Sequence, residues 1–133
     1  MWSLYRILAF VGVGVFAHAY GKMSRQMKMS VNTGGNLNSL IKSNIDSNKI
    51  MVFSKTYCPY CTKVKDTFAK MDIKFGVIEL DQNNLGDQIQ KELLAMTGQR
   101  TVPNVFVGGK HLGGCDDTHA AISSGKFKDM LAN

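Results

Sequence analysis

Hydrophobic positions in this chain alternate between short unbroken runs and stripes at helical spacing. Ile50-Met51-Val52-Phe53 is an apolar run of the length expected for a strand buried on both faces, and it ends in the polar turn Ser54-Lys55-Thr56. Cys61, Val64, Phe68 and Met71 then recur three or four positions apart, with Lys63, Lys65, Asp66 and Lys70 between them, which predicts an amphipathic helix. Phe75, Val77, Ile78 and Leu80 form a second strand closed by Asp81-Gln82-Asn83-Asn84, so strand, helix and strand make one βαβ unit. Leu85, Ile89, Leu93 and Met96 predict another helix stopped by Gly98. Asn104 to Val107, Gly108-Gly109 and Lys110 to Leu112 read as a hairpin with a two-residue turn. Gly113-Gly114 breaks that hairpin, and a last helix starts at Cys115, runs to Ser123 and continues loosely through Phe127, Met130 and Leu131. Upstream, Leu37, Leu40, Ile41 and Ile45 fit a short helix with Asn36 as its N-cap. The alternation predicts a single α/β domain over 36–133, without internal repeat.

The segment 1–35 has a different character. Ile7 to Ala17 is an apolar run preceded by Arg6 and followed by Ala17-His18-Ala19, a pattern of signal-peptide length and cleavage type. The stretch to Lys28 also has Arg and Ser and lacks acid, as organellar transit peptides do, with Met23, Met27 or Met29 as later starts. Trp2 to Tyr20 is long enough for a marginal anchor and weak membrane association. Secretory, mitochondrial and cytoplasmic destinations therefore all stay open. Residues 20–36, rich in Ser, Asn, Gly and Lys, read as a flexible linker. Charge follows the same division. The net +6 arises mostly before Asp46, where Arg6, Lys22, Arg25, Lys28 and Lys42 stand without an acidic residue; the rest carries 11 basic against 10 acidic groups. A nearly neutral domain argues against nucleic-acid binding.

The chemistry concentrates in Cys58-Pro59-Tyr60-Cys61, where the first strand hands over to the helix. Unpaired N–H groups and the positive end of the helix dipole favour an anion there, so a thiolate at Cys58 would be stabilised. Pro59 suits the first helical position, where its missing N–H has no partner to lose. Lys55 adds a positive charge on the approaching loop, and Cys61 lies one turn deeper, placed to resolve a mixed disulfide. The competing readings are half a zinc site or a chance pair. A structural zinc wants four ligands, and the further candidates Cys115, His111, His119 and His18 do not repeat the spacing. Strand before and helix after the motif favour redox chemistry. Cys115 reads as a small buried thiol under the last helix in preference to a regulatory or dimer-forming one. His111 and His119 read as structural or solvated.

Thr56-Tyr57-Cys58-Pro59-Tyr60-Cys61, Gly98-Gln99-Arg100-Thr101-Val102-Pro103 and Gly113-Gly114-Cys115-Asp116-Asp117, in this order and at these separations, resemble the signature of the dithiol glutaredoxins of the thioredoxin superfamily. The resemblance covers about residues 37–132. It implies a thioredoxin-like three-layer sandwich, with a four-stranded mixed sheet flanked by helices, and glutathione as the reducing co-substrate. It also implies a cis Val102–Pro103 bond that turns the Val102 backbone toward the cysteinyl part of glutathione, which pairs there like an added strand. Thr101 belongs to the same edge. Backbone N–H groups at Cys115 and Asp116 suit the γ-glutamyl carboxylate, the Asp116 and Asp117 side chains suit its ammonium, and Gly113 and Gly114 permit close approach. Lys55 and Gln90 are implied for the glycine carboxylate, with Tyr60 packed beside the bound thiol.

The reaction so implied is reduction of protein–glutathione mixed disulfides and of protein disulfides by Cys58, with Cys61 resolving the latter. No bound cofactor or metal is expected. The expected partners are glutathione and glutathionylated or disulfide-bonded proteins, and the expected state is a monomer. The alternative on the same fold is a glutathione-ligated iron–sulfur carrier or redox-sensing module. Pro59 argues against it, because cluster-binding relatives usually carry a smaller residue there.

Overall fold

The computed structural model describes residues 37–133; the leader, its linker and the expected cap Asn36 lie outside the described residues. The elements, in chain order, are α1 (Leu37–Ser47), β1 (Ile50–Ser54), α2 (Pro59–Lys70), β2 (Gly76–Glu79), a 3₁₀ turn (Leu80–Gln82), α3 (Gly86–Thr97), β3 (Asn104–Val107), β4 (Lys110–Gly113), α4 (Cys115–Ser124) and α5 (Lys126–Ala132).

The strands form one sheet in the order β2-β1-β3-β4, with β1 parallel to β2 and antiparallel to β3, and β3 antiparallel to β4. Every residue of β1 is buried, as its unbroken apolar run requires of a strand inside a covered sheet. Its side chains alternate between two cores. Met51 and Phe53 face a layer supplied by Ile41 and Ile45 of α1 and by Ile89 and Leu93 of α3. Ile50 and Val52 face Val64 and Phe68 of α2, Ala121 of α4 and Phe127 of α5. This is the mixed-sheet, three-layer sandwich expected. Phe68 anchors the second core, stacked on Phe127 with ring centroids 5.5 Å apart and tilted against Phe75 at 5.5 Å. Aromatic pairs of this geometry contribute ~0.5–1.5 kcal/mol beyond the area they bury.

The βαβ unit and the hairpin form as the pattern predicts. Gly108 and Gly109 have φ of 58° and 78°, so the two-residue turn uses the left-handed region that glycine enters without a Cβ penalty. Phe75 falls just before β2, and two further boundaries differ from expectation. Leu80 leaves the second strand and opens the 3₁₀ turn, burying its side chain in the α1–α3 core instead of extending the sheet. The last helix is not continuous: Gly125 adopts φ 84° and breaks it into α4 and α5, which lets Phe127 turn into the α2 core.

Candidate active site

The loop leaving β1 is closed by a turn in which Cys58 N–H donates to the Lys55 carbonyl at 3.1 Å. Cys58 then takes the N-cap position of α2 with extended backbone (φ −87°, ψ 117°), and Pro59 takes the first turn. The cap atom is sulfur: Cys61 N–H donates to Cys58 Sγ at 3.3 Å. A Ser or Asp oxygen in this place would satisfy an otherwise orphaned helical N–H. Here the same donor is aimed at the Cys58 sulfur. Cys58 is half-buried while its neighbours Tyr57 and Tyr60 are 72% and 62% exposed, so an exposed aromatic stands on either side of it in sequence. The loop is tied down from outside the motif, since Thr56 donates to the Asp81 carboxylate from its N–H at 2.9 Å and also from its hydroxyl. Burial pushes the Asp81 carboxyl up, but the Thr56 hydrogen bonds outweigh it and hold the group below its ordinary range.

Cys61 is fully buried, and all three thiols are unpaired. Burial raises the Cys61 thiol from its ordinary 9.0 to about 11; the hydrogen bond and charge interaction with Cys58 add to the rise, and hydrogen bonds at Lys55 and Ser54 oppose it. Cys61 is therefore a protonated thiol at neutral pH. The two sulfurs differ in environment: Cys58 is half-buried and Cys61 is fully buried.

Facing them is the loop before β3. The Val102–Pro103 peptide is cis, Pro103 is buried, and the Cys58 thiol donates to the Val102 carbonyl at 3.8 Å. The neighbouring carbonyls are held by two glutamines. Gln90 Nε2 donates to the Arg100 carbonyl at 2.9 Å, and Gln99 Nε2 donates both to the Thr101 carbonyl at 3.0 Å and to the Pro103 carbonyl at 2.9 Å. The Gln90 amide expected at a ligand carboxylate thus has an internal partner. Thr101 and Arg100 are exposed.

The third wall is the start of α4. Gly113 (φ 130°) and Gly114 lead into Cys115, and a Cβ at Gly113 would lie 2.3 Å from Asp117 Oδ2. Asp117 turns back to accept from Gly114 N–H at 3.1 Å, which makes it a cap of its own helix, while Asp116 is exposed. Cys115 is buried, its thiol pushed up by burial, with Lys63 opposing and Asp116 and Cys58 adding. His119 joins α2 to α4, with Nε2 3.1 Å from the Thr67 hydroxyl and Nδ1 2.8 Å from the Cys115 carbonyl. His111 pairs with Asn104 Oδ1 at 2.8 Å and packs on Phe106. Among the described residues no three His, Cys, Asp or Glu side chains converge so as to hold a metal ion.

Hydrogen bonds therefore bring together Cys58, Cys61 and Val102, and Gln99 ties down the carbonyls on either side of Val102. Lys55 and Tyr60 stand on the rim formed by the motif itself. Thr56 and Gln99 lie inside the motifs quoted above, but nothing in the sequence assigns them a supporting role, and Asp81 is a lone polar side chain in a turn, without periodicity to distinguish it from a solvated one.

A glutaredoxin family model matches residues 50–112. The chain is 53% identical over 90 residues to a glutaredoxin of Ricinus communis, covering 68% of this chain and 88% of that one. It is 50% identical over 90 residues to glutaredoxin-C2 of Arabidopsis thaliana, covering 68% and 81% respectively. Among solved structures, the buckwheat glutaredoxin–glutathione complex is 49% identical with a TM-score of 0.70, covering 72% of this chain and 87% of that chain.

Proposed function

The chain belongs to the glutaredoxin family, and from that premise we propose that it is a glutathione-dependent thiol–disulfide oxidoreductase with Cys58 as the attacking sulfur and Cys61 as the resolving one. The observation that carries the assignment of roles is the pairing of a half-exposed Cys58 Sγ, which accepts the Cys61 N–H, with a buried Cys61 whose thiol is raised to about 11.

The sequence of events follows from that difference. The Cys58 thiolate attacks the glutathionyl sulfur of a protein–glutathione mixed disulfide. The sulfur–sulfur bond of the substrate breaks, the protein leaves as a thiolate that takes up a proton, and Cys58 becomes glutathionylated. A second glutathione, as thiolate, attacks its own kind in that disulfide, releasing glutathione disulfide and restoring Cys58. With a protein disulfide the first attack leaves the substrate bound to Cys58. Cys61 then loses two of the causes that keep it protonated, since Cys58 in disulfide form carries no charge and no longer competes for the proton. Cys61 can then attack Cys58 and release the substrate dithiol, and two glutathiones reduce the Cys58–Cys61 disulfide.

In this reading the Val102 backbone pairs with the cysteinyl segment of glutathione, and the Thr101 carbonyl lies on the same edge. N–H groups at Cys115 and Asp116, at the start of the ten-residue α4, take the γ-glutamyl carboxylate, and Asp116 takes its ammonium. Lys55 supplies charge to the glycine carboxylate, with Gln90 beside it. Pro103, Gly114 and Asp117 shape these walls, and Tyr60 flanks the thiol. Nothing in this arrangement favours cluster carriage over disulfide exchange.

The test is turnover of a glutathionylated peptide by glutathione, preceded by an absorbance scan of the freshly purified protein. Cys58→Ser is expected to abolish turnover. Cys61→Ser is expected to keep mixed-disulfide reduction and lose protein-disulfide reduction. Turnover that survives Cys58→Ser would refute the assignment.

A further inference from the structure

The loop facing Cys58 has four successive carbonyls, and three of them are occupied by glutamine side chains. Gln90 holds Arg100, and the single Nε2 of Gln99 holds both Thr101 and Pro103. The carbonyl between those two, of Val102, is the one left to face the Cys58 sulfur. Both hydrogens of the Gln99 amide are thereby used on either side of Val102, which leaves the Val102 segment little freedom to rotate its own N–H and C=O. A Cβ added to Gly114 would lie 3.7 Å from Gln99 Nε2 and 3.7 Å from the Pro103 carbonyl, so the amide and the carbonyl it holds both lie close to the residue that opens α4. Gln99 is itself braced, since its N–H donates to the Thr97 hydroxyl at 3.1 Å at the end of α3.

We infer that Gln99 is a positioning residue for the tripeptide: it fixes the Val102 edge and sets its spacing from the Gly114–Asp117 corner, so that both walls engage one glutathione together. This rests on the glutathione-dependent reading above. The side chain does not touch the reacting sulfurs, and it acts on the ligand edge only through the two carbonyls it holds, those of Thr101 and Pro103. Its removal should therefore weaken binding and leave the chemistry at sulfur as it was.

The experiment compares wild type with Gln99→Met, which keeps length and volume but has no donor, and Gln99→Asn, which is one methylene shorter and reaches at most one carbonyl. Steady-state rates are measured with a glutathionylated peptide and saturating glutathione, alongside the pH dependence of Cys58 alkylation by iodoacetamide and a thermal melt. The KM for the peptide is expected to rise about three- to tenfold in Gln99→Met and less in Gln99→Asn, the size of effect that one or two neutral hydrogen bonds give. The alkylation profile and kcat are expected to stay at wild-type values.

An unchanged KM in Gln99→Met overturns the inference. So does a fall in kcat with a displaced alkylation profile, which would place Gln99 in the thiol chemistry. If Gln99→Met does not fold, Gln99→Asn decides by the same KM-against-kcat split. Failure of the parent reading is separate: it appears as wild-type protein without glutathione-dependent turnover, whereas failure of this inference appears as an active wild type matched by its variants.

Discussion

Burying a thiol whose proton is held to about 11 couples the stability of the fold to pH in a window set by Cys61. Unfolded, the group loses its proton near 9.0; folded, it keeps it to about 11. A raised pKa means that the native state binds the proton more tightly. The contribution is therefore complete below pH 9, declines as the unfolded chain ionises, and is gone above pH 11. Each pH unit between the two values is worth ~1.4 kcal/mol, so the native state loses about 2–3 kcal/mol across the window. Cys61→Ser puts a hydroxyl that does not titrate in the same buried place. The measurement is the urea midpoint of the fully reduced wild type and of Cys61→Ser at intervals from pH 8 to 11. Groups remote from Cys61 contribute alike to both proteins and cancel in the difference; Cys58 is the exception, because its interaction with Cys61 is one cause of the raised value and is part of the gap measured. With a slope of ~1–3 kcal/mol per molar urea, the wild-type midpoint should fall by about 0.7–3 M relative to Cys61→Ser. A gap that stays constant over the whole range would show that Cys61 ionises alike in both states, and the account of a sealed, protonated resolving thiol would be wrong.

The Asp81 carboxyl, held low by Thr56, should titrate closer to its ordinary range in Thr56→Val, which deletes the hydroxyl bond and keeps the N–H bond. Its depressed value stabilises the fold above the unfolded carboxyl pKa, and that stabilisation is lost as pH falls through the lower folded value. Side-chain NMR titration of the two proteins checks this, and identical curves would contradict it. Gly86→Ala would bring a Cβ within 1.8 Å of the Leu80 backbone carbonyl, with no flexible side chain to move aside. It should destabilise by about 1–3 kcal/mol or more, read as a clear fall in melting temperature; an unchanged melt would mean that the 3₁₀ turn shifts at no cost.

Hydrophobic periodicity was enough to read the order of strands and helices, because burial on a strand or helix repeats locally, every second position or every third and fourth. Ile50 to Phe53, the stripe from Cys61 to Phe68 and the Gly108-Gly109 turn all carried their structure in adjacent residues. The end of β2 and the last helix were less legible. Whether Leu80 continues a strand or turns into the α1–α3 core depends on where that core lies, and Gly125 breaks a helix only where packing draws Phe127 inward.

At the site, the Cys58–Cys61 spacing at a strand-to-helix junction already specified the reacting pair and the polarity of the helix end beside it. Which polar groups support that pair was decided only in three dimensions. Thr56 and Asp81 are 25 positions apart, Gln90 and Arg100 are ten apart, and Cys58 and Val102 are 44 apart. A glutamine reads the same in sequence whether water or a carbonyl satisfies it, since its hydrogen-bonding capacity is identical in both cases. The sheet order β2-β1-β3-β4 brings the end of β1 alongside the end of β2 and the start of β3, and the distances that result select one partner for each donor.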